Sequence, residues 1–250
     1  METRIACPGG NACVSEALAN HLEGKIETGA TVAAISPEKD SYFVTYLNEQ
    51  GQEMTLESRA VIWACQKHYA PYVIKGLSKD KIGAFKKVRY DAYLVANIFV
   101  NNPFYDIAFA TYFEDTIFTD MVIADWMVTG GKKRTNSLEP EVYTLYCPLG
   151  EQNRYTLLST PDEEWISQIL QGLKKHFPSA DKSIVDIKLF KYGHHYVIGY
   201  PGFASGSRVA TKKPFGNIYF AKDDMQGVPC LESAVWSGIE SAESVLQKIG

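Results

Sequence analysis

The residues best suited to move protons sit together. His194 and His195 are neighbours, and Tyr200 follows shortly after. An imidazole titrates near neutrality and can orient a substrate or carry a proton, and a phenol can donate a hydrogen bond to a substrate. The ordinary alternative is a pair of strand or surface histidines beside a packed tyrosine. Further on, Asp223 and Asp224 stand side by side, followed by Gly227. Either carboxylate could accept hydrogen bonds from sugar-like hydroxyls. Two acids and a carbonyl would be thin coordination for a divalent cation. The five cysteines (7, 13, 65, 147 and 230) form no C-x-x-C pair, which argues against a disulfide framework or a zinc site. Cys65 and Cys230 read as small buried hydrophobes, and the thiols are expected to be reduced, as in a cytoplasmic protein. A serine hydrolase is excluded for want of a G-x-S-x-G elbow. Gly130-Gly-Lys-Lys-Arg-Thr-Asn136 reads as a solvated loop rather than a phosphate cradle.

The elements that must position these groups follow from periodicity. Asp223, Asp224 and Gly227 lie in a loop (222–230) between a strand over 215–221 and a helix over 231–249. That helix carries an apolar stripe of Ala234, Val235, Ile239, Ala242, Val245 and Leu246. Val14, Ala17, Leu18 and Leu22 predict a helix just after the first glycines. Segments 32–36, 42–47 and 53–57 alternate as an antiparallel meander. Arg59-Ala-Val-Ile-Trp-Ala64 is the compact apolar run of a buried parallel strand. From about Tyr69 to Pro201 aromatic residues are dense, with strands expected at 93–100, 116–124 and 142–146. One helix interrupts them: Thr160 as N-cap, Pro161 and acids in the first turn, an inward face of Trp165, Ile169, Leu170 and Leu173, and a basic end before Pro178.

Composition bounds the function. With 250 residues the chain can bury a sizeable core. A net charge of −4 excludes bulk attraction to nucleic acid or to an anionic membrane surface. The chain is 46% hydrophobic and 22% charged, the values of an ordinary globular protein, which excludes predominant disorder. No apolar run approaches the roughly 18 residues of a membrane span, and the start lacks the pattern of a secretory signal.

The closing block, Asn217-Ile-Tyr-Phe-Ala-Lys-Asp-Asp-Met-Gln-Gly-Val-Pro-Cys-Leu-Glu-Ser-Ala-Val-Trp-Ser-Gly238, resembles the C-terminal flavin-binding signature of the flavin-containing amine oxidase and phytoene desaturase superfamily. The start agrees: Gly9-Gly10, Glu16-Ala-Leu18 and Ile26 to Ile35 resemble the family's "GG" block, and Val61-Ile-Trp-Ala64 resembles its "vi.A" strand. Phe118-Thr-Asp-Met, Tyr146-Cys-Pro-Leu149, Phe177-Pro178 and Tyr192-Gly-His-His195 resemble a bacterial branch of FAD-dependent oxidoreductases.

The resemblance implies an α/β (α+β) fold: a partial FAD-binding dinucleotide domain (1–68 and 210–250) with an inserted strand-rich substrate domain (69–209). It implies FAD contacts at Gly10, Val32, Ala64, Ala221, Asp223, Gly227, Glu232, Ser233 and Ala234, with Val32 near the adenine. It also puts His194, His195 and Tyr200 at the substrate face. The physics of the closing motif stands beside it. A diphosphate and a ribityl chain want amide donors and a helix N-terminus, and small residues let the helix approach.

The departures are specific. The family's glycine before the acid is Lys222, and its "EGA" is Glu232-Ser-Ala234. The aromatic pair that flanks an amine substrate is not supported, because Cys230 and His195 fall near those places, so amine oxidation does not carry over. The chain contains no G-x-G-x-x-G, the unit that holds a dinucleotide pyrophosphate. A fragment, a subunit and a degenerate flavin-free relative are therefore all compatible with the sequence. A sheet lacking that unit is short, and its apolar edge is expected to associate with an N-terminal partner subunit or with a second copy. A small-molecule substrate is expected, with no nucleic acid, membrane or metal.

Overall fold

A computed structural model describes residues 10–129 and 140–249. Cys7 and the Gly130 to Asn136 loop lie outside the described residues. In chain order the elements are α1 (Ala12–His21), β1 (Thr31–Glu38), β2 (Ser41–Leu47), β3 (Glu53–Ser58), β4 (Val61–Trp63), α2 (Ala70–Val73), α3 (Lys79–Lys86), β5 (Tyr93–Val100), β6 (Ala110–Tyr112), β7 (Asp120–Ile123), α4 (Asp125–Thr129), β8 (Glu141–Pro148), α5 (Arg154–Ser159), α6 (Asp162–His176), β9 (Ile184–Tyr192), α7 (Arg208–Lys212), β10 (Ile218–Phe220) and α8 (Leu231–Ile249).

The chain divides into two compact units. One comprises Asp91–His195, with residues 10–26 grouped to it; the other comprises Glu27–Tyr90 and residues 196–249. Segments 69–90 and 196–209 thus pack with β1 to β4 and α8, whereas the expected functional division ran at 68/69 and 209/210.

The first unit is built on a five-stranded antiparallel sheet in the order β6-β7-β8-β5-β9. β5 is central, paired with β8 on one side and β9 on the other, and Leu94, Ala96, Ile98 and Val100 are fully buried. Such burial requires the nearly continuous apolar run that this strand shows. Trp165, Ile169 and Leu173 of α6 join the same core, together with Met121, Ile123, Tyr143, Leu145 and Cys147. Gly172 keeps α6 close: a Cβ there would meet the Phe118 ring at 2.9 Å. α6 begins two residues later than its expected cap, with Pro161 at the N-cap, because Thr160 terminates α5 instead.

The second unit holds the β1-β2-β3 antiparallel meander, as the alternation predicts, and a two-stranded parallel pair, β4 with β10. Its core gathers Ile35, Tyr42, Trp63, Ile74, Phe85, Ile218, Phe220 and Met225. The α8 boundaries match the periodicity, but its facing does not. The buried side chains are Ser233, Ser237 and Ser241, while Leu231, Val235, Trp236, Ile239 and Leu246 are exposed. The reason is local hydrogen bonding at close range. Ser241 Oγ donates to the Phe220 carbonyl (3.2 Å), and Ser237 Oγ donates to the Lys222 carbonyl (2.9 Å) while accepting from the Lys222 amide (2.7 Å). A serine stripe lets the helix lie against the end of β10 where larger side chains would hold it away.

Candidate functional site

β4 and β10 run parallel in the register Val61–Ile218, Ile62–Tyr219 and Trp63–Phe220. Both therefore end together, and the Ala221 amide closes the last rung on the Trp63 carbonyl at 2.9 Å. Ala64 and Ala221 are the first residues beyond those ends. In open α/β sheets the carboxyl ends of parallel strands are where ligands bind, and the loop into α8 leaves from that end.

The loop opens with a tight turn, in which Met225 and Gln226 donate back to the Lys222 and Asp223 carbonyls (2.9 and 3.0 Å). The turn sends its two acids in different directions. Asp224 is fully buried: its carboxylate lies 3.0 Å from the equally buried Lys67 ammonium and accepts from the Tyr90 hydroxyl at 2.5 Å. Asp223 is largely but not wholly enclosed and is paired with the Lys222 ammonium. Lys222 itself has φ +121° and ψ 160°, a backbone region essentially reserved for glycine. Burial pushes the Lys67 ammonium down and the Asp224 carboxyl up, and each charge opposes the shift in the other. Burial, followed by the Asp224 charge, pushes the Tyr90 phenol well above its ordinary range.

The donor set at this end comprises a carboxylate able to accept hydroxyls (Asp223), an ammonium (Lys222) and the amide-rich start of α8. It suits a ligand carrying both hydroxyls and negative charge. Both acids of the loop are already paired with lysines, which leaves no free carboxylate pair for a cation. Among the described residues no group of three or more His, Cys, Asp or Glu is placed to hold a metal ion.

Comparison with known proteins decides the family. Residues 2–246 match the family described as flavin containing amine oxidoreductase. The chain belongs to that family. It is 24% identical over 264 aligned residues to the oxidoreductase PigB of a Serratia strain, covering 96% of this chain and 38% of that protein. Solved structures of putrescine oxidase (the A394C mutant, TM-score 0.75) and of cyclohexylamine oxidase from Brevibacterium oxydans (TM-score 0.73) share its fold. Each is 14% identical and covers 96% of this chain and 53% of its own. The chain thus spans about half the length of these structural relatives, and less of PigB.

Several residues expected to contact the flavin of this family fall in the second unit. Ala64 and Ala221 mark the paired strand ends, Asp223 opens the turn beyond β10, and Glu232, Ser233 and Ala234 lie in the first turn of α8. Glu232 is exposed, while Ser233 is buried with its Oγ 3.2 Å from Cys230 Sγ. Val32 is exposed on β1 beside a bulge. Gly227 has φ +75°, and a Cβ there would meet the Phe203 ring at 3.1 Å and Arg208 at 3.3 Å, so packing within the unit also calls for a glycine. Gly10 groups with the first unit, where it opens α1 at φ +89°.

His194 and His195 close the first unit, whereas Tyr200 belongs to the second. The His195 ring stacks on Tyr192 (4.8 Å, 21°) and meets the edge of Tyr93 (4.8 Å, 73°), and its amide donates to the Asp91 carbonyl. Burial, then the nearby Arg154 guanidinium, lowers the His194 pKa and favours the neutral ring. The Tyr200 hydroxyl donates to the Lys87 carbonyl (2.8 Å) and lies 2.8 Å from Ser207 Oγ, so it is already engaged within its own unit.

Sequence reading missed Lys67 and Tyr90. Their partners lie far apart in the chain, and no local spacing marks them. Lys222 carried a signal of its own: a lysine where the family has glycine.

Proposed function

We infer that this chain contributes the second part of a FAD-binding fold to an oxidoreductase of the amine oxidase and desaturase type. The observation that carries the reading is the co-terminal parallel pair β4–β10, followed by an acid-bearing turn and a long helix packed on its serine face. Asp223 would accept from cofactor hydroxyls, Lys222 would meet negative charge, and the first turn of α8 would supply amides. The flavin, when bound, supplies the hydride-accepting chemistry. The protein's part is to hold it and to keep water from the strand ends. His194 and His195 would orient a small-molecule substrate, with a neutral His194 suited to accept a proton. Tyr200, already hydrogen-bonded, would hold the Lys87 segment rather than move a proton.

A second reading has an observation of its own. The outward apolar stripe of α8 (Leu231, Val235, Ile239 and Leu246), together with exposed Ile62 on β4, supports association with an N-terminal partner subunit or with a second copy. In that reading the chain works as a flavin-free module through its partner. Cys65, Cys147 and Cys230 are free thiols, in keeping with a reducing cytoplasmic setting. Among the described residues no helix is long and apolar enough to cross a membrane.

The test is a titration of the purified chain with FAD, followed by flavin absorbance and fluorescence. Saturable binding, weakened at least about tenfold by Asp223→Ala, supports the first reading. A chain that stays colourless with FAD and elutes as a dimer or larger species supports the second.

A further inference from the structure

Lys67 and Asp224 are the most thoroughly buried charges in the second unit, with side chains 0% exposed, and the flavin reading assigns them nothing. A lysine ammonium has three donors. Around Lys67 Nζ stand three acceptors: the Cys65 carbonyl at 3.0 Å, the Ala221 carbonyl at 2.6 Å and the Asp224 carboxylate at 3.0 Å. The other Asp224 oxygen takes the Tyr90 hydroxyl at 2.5 Å, and the Tyr90 oxygen accepts the Lys67 backbone amide at 2.9 Å. The three side chains engage one another and are enclosed, with Asp224 Oδ1 held by the charge of Lys67. This set offers no group to a ligand, so its members are not catalytic residues.

Its position gives it another role. Cys65 and Ala221 lie just beyond the carboxyl ends of β4 and β10, and Asp224 lies inside the turn. The strands themselves share only three paired positions, which is little to fix the loops that leave their ends. We propose that Lys67, Asp224 and Tyr90 form a positioning network that clamps the two strand ends together and sets the 222–227 turn so that Asp223 faces the ligand. As a ligand-positioning device it rests on the flavin reading; as a clamp on the turn it stands on the contacts alone. The choice between the acids is what the network makes. With Asp224 drawn inward by two partners, Asp223 is held about 120° away around the 3₁₀ turn, on a different face. Stability alone does not call for this arrangement, since a buried ion pair can often be replaced by packed apolar residues without loss.

The test uses the whole chain with two variants, Tyr90→Phe and the double replacement Lys67→Met with Asp224→Leu. The double variant leaves no lone buried charge, and Tyr90→Phe keeps the pair and removes one hydroxyl, so at least one should fold. Amide hydrogen exchange is read at Met225, Gln226 and Gly227, with β1–β2 and β5 as references. Exchange at the turn should quicken about tenfold or more while the reference strands hold their rates. FAD affinity should fall about tenfold, and the circular dichroism of any bound flavin should change. Unchanged exchange at the turn overturns the proposal, and so does a rise spread evenly through β1 and β2, which marks a general stability role. A loosened turn with FAD affinity and flavin spectrum unaltered overturns the ligand-positioning claim. If the wild-type chain binds no FAD yet the turn alone loosens in the variants, the flavin reading falls and the clamp stands.

Discussion

The two units solve the problem of a core in opposite ways. The antiparallel unit buries hydrocarbon: Leu94, Ile98, Val100, Leu145 and Ile169 fill a sheet-and-helix interior whose titratable members, Cys147 and Tyr143, are kept neutral by burial. The parallel-pair unit buries charge. Lys67 and Asp224 sit fully enclosed, and Lys81 hides its ammonium among the carbonyls of Ala210, Thr211 and Lys213, over the rings of Phe220 (4.3 Å) and Phe85 (5.0 Å). A wide antiparallel sheet satisfies its own backbone. A two-stranded parallel pair does not, and its loops are tied by side chains that reach carbonyls. The enclosed Lys67–Asp224 pair and the Lys81 ammonium therefore belong to the unit whose strand ends are the candidate site.

The contrast predicts where single substitutions hurt most. Lys67→Met leaves the Asp224 charge buried and alone, and should cost about 3–5 kcal/mol in chemical unfolding followed in the second unit. The paired replacement of Lys67 and Asp224 by Met and Leu should recover most of that. Leu94→Ala in the antiparallel core has no such rescue, since it opens a cavity worth about 2–5 kcal/mol. If the double replacement is as damaging as Lys67→Met alone, the charge in the second unit is structural cement and the contrast loses its meaning.

Much of this was legible along the chain, and the failures have one cause. The meander, β5, α6 and the limits of α8 follow from period and turn residues, which are local. α3 was missed although Ser78 caps it by accepting from the Lys81 amide (3.2 Å), a local signal submerged in an aromatic-rich stretch. The facing of α8 was misjudged because apolar stripes are assumed to point inward. Here three serines spend their hydroxyls on the end of β10 and turn Val235 and Ile239 outward. Motif order drew attention to Ala64, Ala221 and Asp223, which lie at the ends of β4 and β10 and in the turn beyond. Lys67 and Tyr90 were not, because a hydrogen-bonded network among distant loops leaves no periodic trace. Gly227 is singled out in the sequence for a cofactor's approach, and the packing of Phe203 and Arg208 against it is a second demand for glycine that no local spacing shows.

The pH dependence of the two interiors should carry opposite signs. Burial lowers Lys81 from its ordinary 10.5 to about 8, so between those values the unfolded chain holds the proton more tightly than the folded one. Stability contributed by the second unit therefore rises as pH increases from about 8 towards 10.5, by about 2 kcal/mol after solvent screening. Cys147 behaves in reverse. Burial pushes its thiol from 9.0 up to about 12, so above pH 9 the unfolded thiol ionises first and the stability of the antiparallel unit falls. Unfolding monitored separately in each unit should show the two slopes diverging between pH 9 and 10, above which the Tyr90 phenol, pushed up by burial, pulls the second unit's slope down as well. Lys81→Met should flatten the slope of the second unit, and Cys147→Ala that of the first. Parallel slopes would mean that the two interiors titrate alike.

The smallest effect isolates a backbone position where the site departs from its family. Lys222 holds φ +121° only because Ser237 Oγ grips both its amide and its carbonyl. Glycine occupies that region without strain, so Lys222→Gly should stabilise the second unit by about 1 kcal/mol, net of the lost pair with Asp223, and raise its melting temperature by about 2–4 °C. Ser237→Ala should do the opposite by releasing a strained residue from its anchor. The antiparallel unit should melt as before in both variants. A Lys222→Gly protein that melts lower would show that the lysine's charge outweighs its backbone cost, and that the departure from glycine serves stability rather than the ligand.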